Sequence, residues 1–181
     1  YFTNPSGRVD PSEREIDFAG VHCIAPDGTV TAVVTNTMYP NGLAFSPDER
    51  TLYVANTRKD NDCQQEKERG EVCTHQFINA YDIAPDGTAT SGRLFANMHS
   101  AEDGVPDGMK VDMEGRVYCT GPEGVWVFDS QGNHLGIIRL TEIPANCAWG
   151  GPDNRTMFFT ARHSIFTMRM KTPGTPIPQQ G

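Results

Sequence analysis

Positive charge is scarce in this chain, and the shortage argues against one class of partner. Lys and Arg together number 15 against 23 Asp and Glu, which gives a formal charge of −8 over 181 residues. A protein that follows nucleic-acid phosphates needs a basic surface, so we expect no nucleic-acid partner. Long hydrophobic runs are missing too. No stretch approaches the roughly 20 apolar residues of a transmembrane helix, and we expect no membrane partner.

Two further absences concern chemistry. None of the five cysteines lies at the two-to-four residue spacing from another that is typical of a zinc knuckle. We interpret Cys23, Cys119 and Cys147 as small buried residues of strands. Cys63 and Cys73 flank a polar loop and could form a disulfide in an oxidising compartment, but the odd number of cysteines leaves the compartment open. No Gly-x-Ser-x-Gly sequence occurs, so a serine-esterase mechanism has no support.

The chain has instead a repeated pattern of turns and short strands, punctuated by 18 Gly and 13 Pro. The stretch Pro40–Asn56 opens with the turn Pro-Asn-Gly, continues with a short apolar run and a second turn, and ends in a β-rich run. This order predicts a β-hairpin. The pattern returns at 106–121 and again at 144–161. One aromatic residue falls at the same place in each copy: Tyr53, Tyr118 and Phe158.

Each copy continues with further strand and turn signals, which decide the architecture. The unit then comprises about four strands and on the order of 40 residues, the size of a β-propeller blade. One four-stranded sheet cannot bury both of its faces, so such units must pack around an axis. The repeat therefore predicts an all-β protein built as a β-propeller.

The opening residues indicate that the sequence begins inside a blade. Tyr1–Asn4 aligns with Tyr53–Asn56, the second strand of its repeat. About three and a half to four blades are then visible, and a complete six-bladed protein would have roughly 280 to 310 residues. We expect residues 1–170 to be the C-terminal part of one propeller domain. Residues 171–181 form a proline-rich tail that should be extended or irregular.

Strand parity predicts which loops share a face. The turn tripeptides precede the first strand of each repeat, and we call their end of the sheets the top. The first strand then runs away from the top and the second strand returns to it. The loop Lys59–His75 joins a second strand to a third and therefore also lies at the top. It is either a functional lid or a solvated loop. The stretch 98–105 enters the same face and carries His99, Glu102 and Asp103.

Asn41 and Asp107 hold the same position in successive repeats, at the top of the first, innermost strands. Each would direct one oxygen toward the propeller axis, and an amide oxygen with a carboxylate suits a hard cation such as calcium or magnesium. Asn146 comes one residue later in its repeat, so its side chain could point elsewhere. Pro-Asn-Gly and Pro-Asp-Gly are also ordinary turn sequences, which leaves a purely structural role open for both residues.

Five blocks of the sequence resemble the gluconolactonase / senescence marker protein (regucalcin-like) family. The opening YFTNP is similar to that family's YFTDP, with Asn4 in place of the Asp. The resemblance covers most of the chain, and the combination is more specific than any single turn. The blocks are Tyr39–Asp48, Thr51–Thr57, Pro106–Cys119, Gly124–Ile138 and Pro144–Ala161.

The resemblance implies a six-bladed propeller with a divalent cation at its axis. Calcium is the first expectation, with magnesium, manganese or zinc as alternatives. The family's ligands are a Glu, two Asn and one Asp. The matching motifs place the second Asn on Asn41 and the Asp on Asp107, and put the other two ligands before Tyr1. The long insertion at 59–75 departs from the shortest members of the family.

The function implied by the resemblance is hydrolysis of a small-molecule sugar lactone. In that reaction a cation polarises the ester carbonyl, and Asp107 is the candidate general base for the attacking water. Two other interpretations remain. One is a related hydrolase of the same fold that acts on other lactones or on organophosphates. The other is a non-catalytic propeller that serves as an interaction platform.

Overall fold

The computed structural model describes residues 1–5, 10–57 and 75–176. Over these ranges the chain forms strands β1 to β14 and one short 3-10 helix, Pro11–Glu13. Within the described residues, no helix has the length and hydropathy that a membrane crossing requires. The strands are β1 (Phe2–Asn4), β2 (Ala19–Ile24), β3 (Val30–Thr37), β4 (Pro40–Phe45), β5 (Thr51–Asn56), β6 (Phe77–Ile83), β7 (Ala89–Asn97), β8 (Met109–Val111), β9 (Val117–Gly121), β10 (Gly124–Phe128), β11 (His134–Arg139), β12 (Pro144–Gly150), β13 (Thr156–Ala161) and β14 (Ile165–Arg169).

These strands form four antiparallel sheets that follow one another along the chain. The first sheet has the order β1-β2-β3, the second β4-β5-β6-β7, the third β8-β9-β10-β11 and the fourth β12-β13-β14. The first strands of successive sheets lie against one another, β4 against β8 and β8 against β12. Within a sheet each strand pairs with the next in sequence. Short turns join most of these pairs, whereas β5 and β6 pair across residues 57–76. The arrangement confirms the prediction of an all-β chain that forms part of a propeller; the total of six blades stays a prediction.

Apolar clusters between neighbouring sheets hold the blades together. Between the first and second sheets, Val21 and Val34 pack with Leu52, Val54 and Tyr81. Burying one such side chain stabilises the fold by roughly 1.5–3 kcal/mol. Several of them are buried in each interface, so the interfaces contribute much of the stability of the fold. Clusters of the same kind fill the next two interfaces: Tyr53, Ile78, Met109, Val117 and Phe128 between the second and third sheets, and Tyr118, Val125, Cys147, Met157 and Phe159 between the third and fourth.

The repeated aromatic position shows how each sheet depends on the next. Tyr53 and Tyr118 are each only 4% exposed, because the following sheet covers them. Phe158 holds the same place in the fourth sheet and is 39% exposed. Ile165 pairs with Thr160 on the same face and is 70% exposed. No described element packs on this face of the fourth sheet, which leaves Phe158 and Ile165 exposed beside Thr160 and Thr167.

Residues 171–176, which we call the clasp, tie the third and fourth sheets together at their bottom turns. Gly174 forms a bridge with Asp112, and the Asn154 side-chain amide donates to the Gly174 carbonyl at 2.8 Å. A β-carbon at Gly174 would lie 2.0 Å from the Trp149 ring, so only glycine fits there. The clasp is irregular apart from its bridge, as the proline-rich composition predicts, but its docking onto two sheets was not predicted.

Asp112 anchors the turn on which the clasp rests. Its fully buried carboxylate accepts hydrogen bonds from the backbone amides of Glu114 and Arg116, both at 2.9 Å. It also accepts from Arg116 Nε at 2.9 Å and from the Tyr118 hydroxyl at 3.1 Å. Thr172 of the clasp donates to Glu114 at 2.8 Å. A buried carboxylate is stable only when its oxygens are paired in this way.

Of the three cysteines that the structure describes, Cys119 and Cys147 are buried as predicted, whereas Cys23 is only partly buried. Cys23, Cys119 and Cys147 lie in β2, β9 and β12, and all three are free thiols. Burial raises the pKa of the Cys119 thiol strongly and that of Cys147 to about 12, so neither is a thiolate nucleophile at neutral pH. Cys63, Cys73 and residues 59–74 of the insertion lie outside the described residues, so the proposed disulfide and lid remain predictions.

Candidate metal centre and active site

The strand register places Asn41 and Asp107 at equivalent positions of neighbouring sheets. Ala44 pairs with Tyr53 in the second sheet, and Lys110 pairs with Tyr118 in the third. Asn41 and Asp107 each lie three residues before that pair. Both side chains are partly exposed. They therefore lie at corresponding points at the top of the two innermost strands.

A glycine brings these two residues together. A β-carbon on Gly42 would lie 2.0 Å from the Asp107 carbonyl oxygen and 3.0 Å from Met109 N. The backbone of Asp107 thus rests directly on Gly42, the neighbour of Asn41. Any side chain larger than hydrogen would separate the two strands at this point. The glycine of the Pro-Asn-Gly turn is therefore required by contact with the next sheet.

The contact repeats between the third and fourth sheets. A β-carbon on Gly108 would lie 2.1 Å from Asn146 Oδ1 and 2.6 Å from Asn146 Cα. The strand register shows that Asn146 occupies the position of Gly42 and Gly108 in its own repeat. Cys147 pairs with Phe159 in the fourth sheet, as Met109 pairs with Cys119 in the third, and Asn146 and Gly108 each come one residue earlier. The offset of Asn146 by one residue is as expected from the sequence. Asn146 nevertheless lies beside the Asp107-Gly108 pair.

Hydrogen bonds to its own sheet and to the fourth sheet fix the backbone around Asp107. Asp107 N donates to the Thr120 carbonyl at 3.0 Å, and Gly108 N donates to the Ala145 carbonyl at 2.9 Å. The Thr120 hydroxyl, which is fully buried, lies 3.2 Å from the carbonyl oxygens of Gly108 and Ala145. The peptide after Asp107 is therefore bonded to its own sheet and to the next one, which limits its movement.

Two polar side chains that the sequence did not single out form hydrogen bonds with the backbone next to these turns. Asn56 ends β5; its Oδ1 accepts from Tyr39 N at 3.0 Å and its Nδ2 donates to the His75 carbonyl at 2.7 Å. The hydroxyl of Thr57 donates to the Pro106 carbonyl. Both side chains are buried. A usable signal was present, since Asn56 is the last residue of the apolar strand β5 and Thr57 directly follows it, where the strand ends at the top face.

The other polar residues of the top face form a separate feature. Glu102 and Asp103 line a groove of about 210 Å³ together with Glu123 and Glu142, and neither Asn41 nor Asp107 lines it. Glu142 is occupied by hydrogen bonds from the Ser164 hydroxyl at 2.6 Å and from His163 N at 2.8 Å. The structure therefore does not join these carboxylates to the pair at the axis.

The oxygen groups of Asn41 and Asp107 suit a hard cation, but two residues do not complete its coordination. Asn41 offers an amide oxygen and Asp107 a carboxylate, and both are oxygen ligands of the kind that calcium prefers. Among the residues that the structure describes, no group of three or more His, Cys, Asp and Glu forms a metal-binding cluster. A cation at this point would therefore need ligands beyond Asn41 and Asp107, in addition to water.

Comparison with known proteins places this geometry in a family context. The chain is similar to the gluconolactonase of Zymomonas mobilis subsp. mobilis, with 31% identity over 96% of this chain and 48% of that protein. A gluconolactonase structure from Xanthomonas campestris matches with a TM-score of 0.71 and 32% identity, over 96% of this chain and 52% of the other. A regucalcin from Agrobacterium tumefaciens, a calcium-binding protein, matches with a TM-score of 0.63 over 87% of this chain and 53% of its own. At 22% identity the last likeness shows the fold alone.

The chain thus spans about half the length of the proteins it resembles. The family model described as "SMP-30/Gluconolactonase/LRE-like region" matches residues 1–163, which include all four sheets up to β13 and both Asn41 and Asp107. On the evidence of this match and of the 31% identity to a gluconolactonase, the chain belongs to the SMP-30/gluconolactonase/LRE-like family.

Proposed function

We propose that the complete protein hydrolyses a sugar lactone, with Asn41 and Asp107 as two oxygen ligands of a divalent cation, calcium in the first place. The observation that supports the proposal is the contact of Gly42 with the Asp107 backbone, which sets the main chains that carry Asn41 and Asp107 side by side at the inner edge of two sheets. Gluconolactonases among the similar proteins support the choice of substrate.

Asp107 has the chemistry of a general base in this proposal. A bound divalent cation supplies polarisation of the ester carbonyl. The Asp107 carboxylate accepts a proton from water as the water oxygen adds to the carbonyl carbon. The bond from that carbon to the ring oxygen then breaks, and the ring oxygen leaves as a hydroxyl with the proton returned from Asp107. The product is an open-chain hydroxy acid. Such proton transfer contributes about 100- to 10,000-fold to a rate.

The fixed backbone explains how this residue keeps its position. Asp107 N is bonded to Thr120, and the Asp107 carbonyl rests on Gly42. The side chain therefore projects from a main chain that its own sheet and the second sheet restrain. Pre-organisation of this kind reduces the entropy lost when reacting groups are aligned.

Two substitutions separate the ligand role of these residues from the base role. Asn41→Ala removes one neutral ligand, so excess calcium should restore most of its activity. Asp107→Asn keeps one ligand oxygen and the shape but removes the charge and the base, so its turnover should stay about 100- to 10,000-fold low at saturating calcium. The assay titrates calcium into EDTA-treated full-length protein and follows initial rates of glucono-1,5-lactone opening by acid release.

A matched control lies in the same sequence motif. Asp86 belongs to the turn Pro85-Asp86-Gly87 between β6 and β7, where it accepts hydrogen bonds from Thr88. Asp86→Asn should leave turnover unchanged. If Asp107→Asn recovers wild-type turnover at saturating calcium, Asp107 is a ligand only. If the wild-type protein neither binds a divalent cation nor opens any lactone, the proposed function is wrong and the platform interpretation is favoured.

A further inference from the structure

A third polar residue lies at the inner edge, beside the proposed base. The Asn146 carboxamide packs against Gly108, because a β-carbon there would lie 2.1 Å from its Oδ1 and 2.3 Å from its Cγ. Gly108 directly follows Asp107. Asn146 is exposed and Asp107 is partly exposed, so a dissolved molecule can reach both residues. In the two preceding repeats this position is Gly42 and Gly108, which carry no side chain.

One hydrogen bond fixes the orientation of this carboxamide. Cys147 N donates to Asn146 Oδ1 at 2.8 Å, and a backbone amide can only donate. The oxygen is thereby assigned, and the Nδ2 group forms the free end. No residue that the structure describes accepts a hydrogen bond from it. Asn56 and Asn154 differ, since their Nδ2 groups donate to backbone carbonyls at 2.7 and 2.8 Å.

The orientation decides what kind of ligand Asn146 can hold. Its oxygen accepts from Cys147 N and packs beside Gly108, so the Nδ2 group is the part of the side chain that is left to meet a ligand, and it offers hydrogen-bond donors. A sugar lactone carries several hydroxyl oxygens that accept such donors. We infer that Asn146 is a specificity-determining residue of the proposed lactonase, whose Nδ2 group donates to a hydroxyl oxygen of the lactone beside Asp107. The inference rests on the proposed function and adds to it a preference for polyhydroxylated lactones.

The test compares two substrates that share a ring but differ in hydroxyl groups. Glucono-1,5-lactone carries hydroxyls on its ring, whereas δ-valerolactone carries none. Asn146→Asp keeps an acceptor for Cys147 N and loses the donor. Asn146→Gly restores the residue of the other two repeats and so should fold. Both variants should lower kcat/KM for gluconolactone about tenfold, the worth of one hydrogen bond, mainly through KM. On δ-valerolactone Asn146→Gly should stay within about twofold of the wild type, because that ring offers no hydroxyl to lose. Asn146→Asp also adds a charge beside Asp107, so its loss on δ-valerolactone should be smaller than its loss on gluconolactone.

Asn97 offers a control for the charge that Asn146→Asp introduces. Asn97→Asp introduces the same charge at the top of β7, the outermost strand of the second sheet, and should change neither value. If the Asn146 variants lose activity equally on both substrates, or on neither, the inference is wrong while the lactonase function stands. If the wild-type protein opens neither lactone, the proposed function fails and the inference fails with it.

Discussion

Replacing Gly42 by alanine should damage activity far more than one added methyl group suggests. The new β-carbon would lie 2.0 Å from the Asp107 carbonyl oxygen, whereas β-carbons essentially never come closer than 3.0 Å to such atoms. The β4 and β8 backbones must therefore separate by at least about 1 Å, the difference between these distances. Gly42 is not among the glycines with positive φ, so the effect is displacement and not backbone strain.

The magnitude follows from what is displaced. Asn41 and Asp107 would move apart by about 1 Å, and a misplacement of that size can lower a rate about 100-fold. Overpacking of a filled interface costs about 1–3 kcal/mol of stability. We expect kcat/KM for gluconolactone to fall about 100-fold, together with weaker calcium binding measured by titration calorimetry. Urea denaturation of the full-length protein gives the change in the free energy of unfolding.

Gly28→Ala is the matched control. Gly28 has φ +86 and no atom within 4 Å of an added β-carbon, so alanine there costs about 1–2 kcal/mol through its left-handed backbone. Both variants should thus lose comparable stability, and only Gly42→Ala should lose activity. If Gly42→Ala keeps wild-type turnover and calcium affinity, the contact does not position the site and the reasoning fails.

Two further predictions concern stability and association. Asp112→Ala should lower the free energy of unfolding by about 3 kcal/mol, because it leaves Arg116 and two backbone amides without their buried acceptor. Asp129→Ala, in an exposed turn, should cost less, and equal losses in urea denaturation would contradict a special role for Asp112. The 181-residue chain expressed by itself should self-associate through the face that carries Phe158 and Ile165. Sedimentation velocity should show Phe158→Ser shifted toward monomer; a wild-type chain that is monomeric at every concentration would refute this.

Much of the fold was predictable because its signals are local. Turn sequences and β-rich runs recur with the same spacing, and each strand pairs with its neighbour in sequence, so the sheet order follows from the order of the turns. The alignment of Tyr1–Asn4 with Tyr53–Asn56 correctly predicted a first sheet that lacks an inner strand among the described residues. The same local register predicted that Asn41 and Asp107 are equivalent.

The remainder depends on contacts between residues far apart in sequence. Thr57 bonds to Pro106, and Asn154 bonds to Gly174. No pattern within a single repeat indicates such partners. The docking of the clasp is of this kind. The sequence shows Gly174 only as a glycine of the tail and Asp112 only as an aspartate of a turn, and nothing in it indicates that the two residues pair. The one-residue offset of Asn146 left the direction of its side chain open, and only the packing on Gly108 revealed its place.

The contact between Gly42 and Asp107 also bears on how such a protein can diverge. It involves main-chain atoms only, so the spacing of the inner strands does not depend on which side chain residue 107 carries. Residues 41 and 107 can change identity while the glycine between them stays. Mutation could then exchange the polar groups at these two positions for others while the spacing of the inner strands stays constant. The glycine preserves the scaffold, and the neighbouring positions are left open to selection for new chemistry.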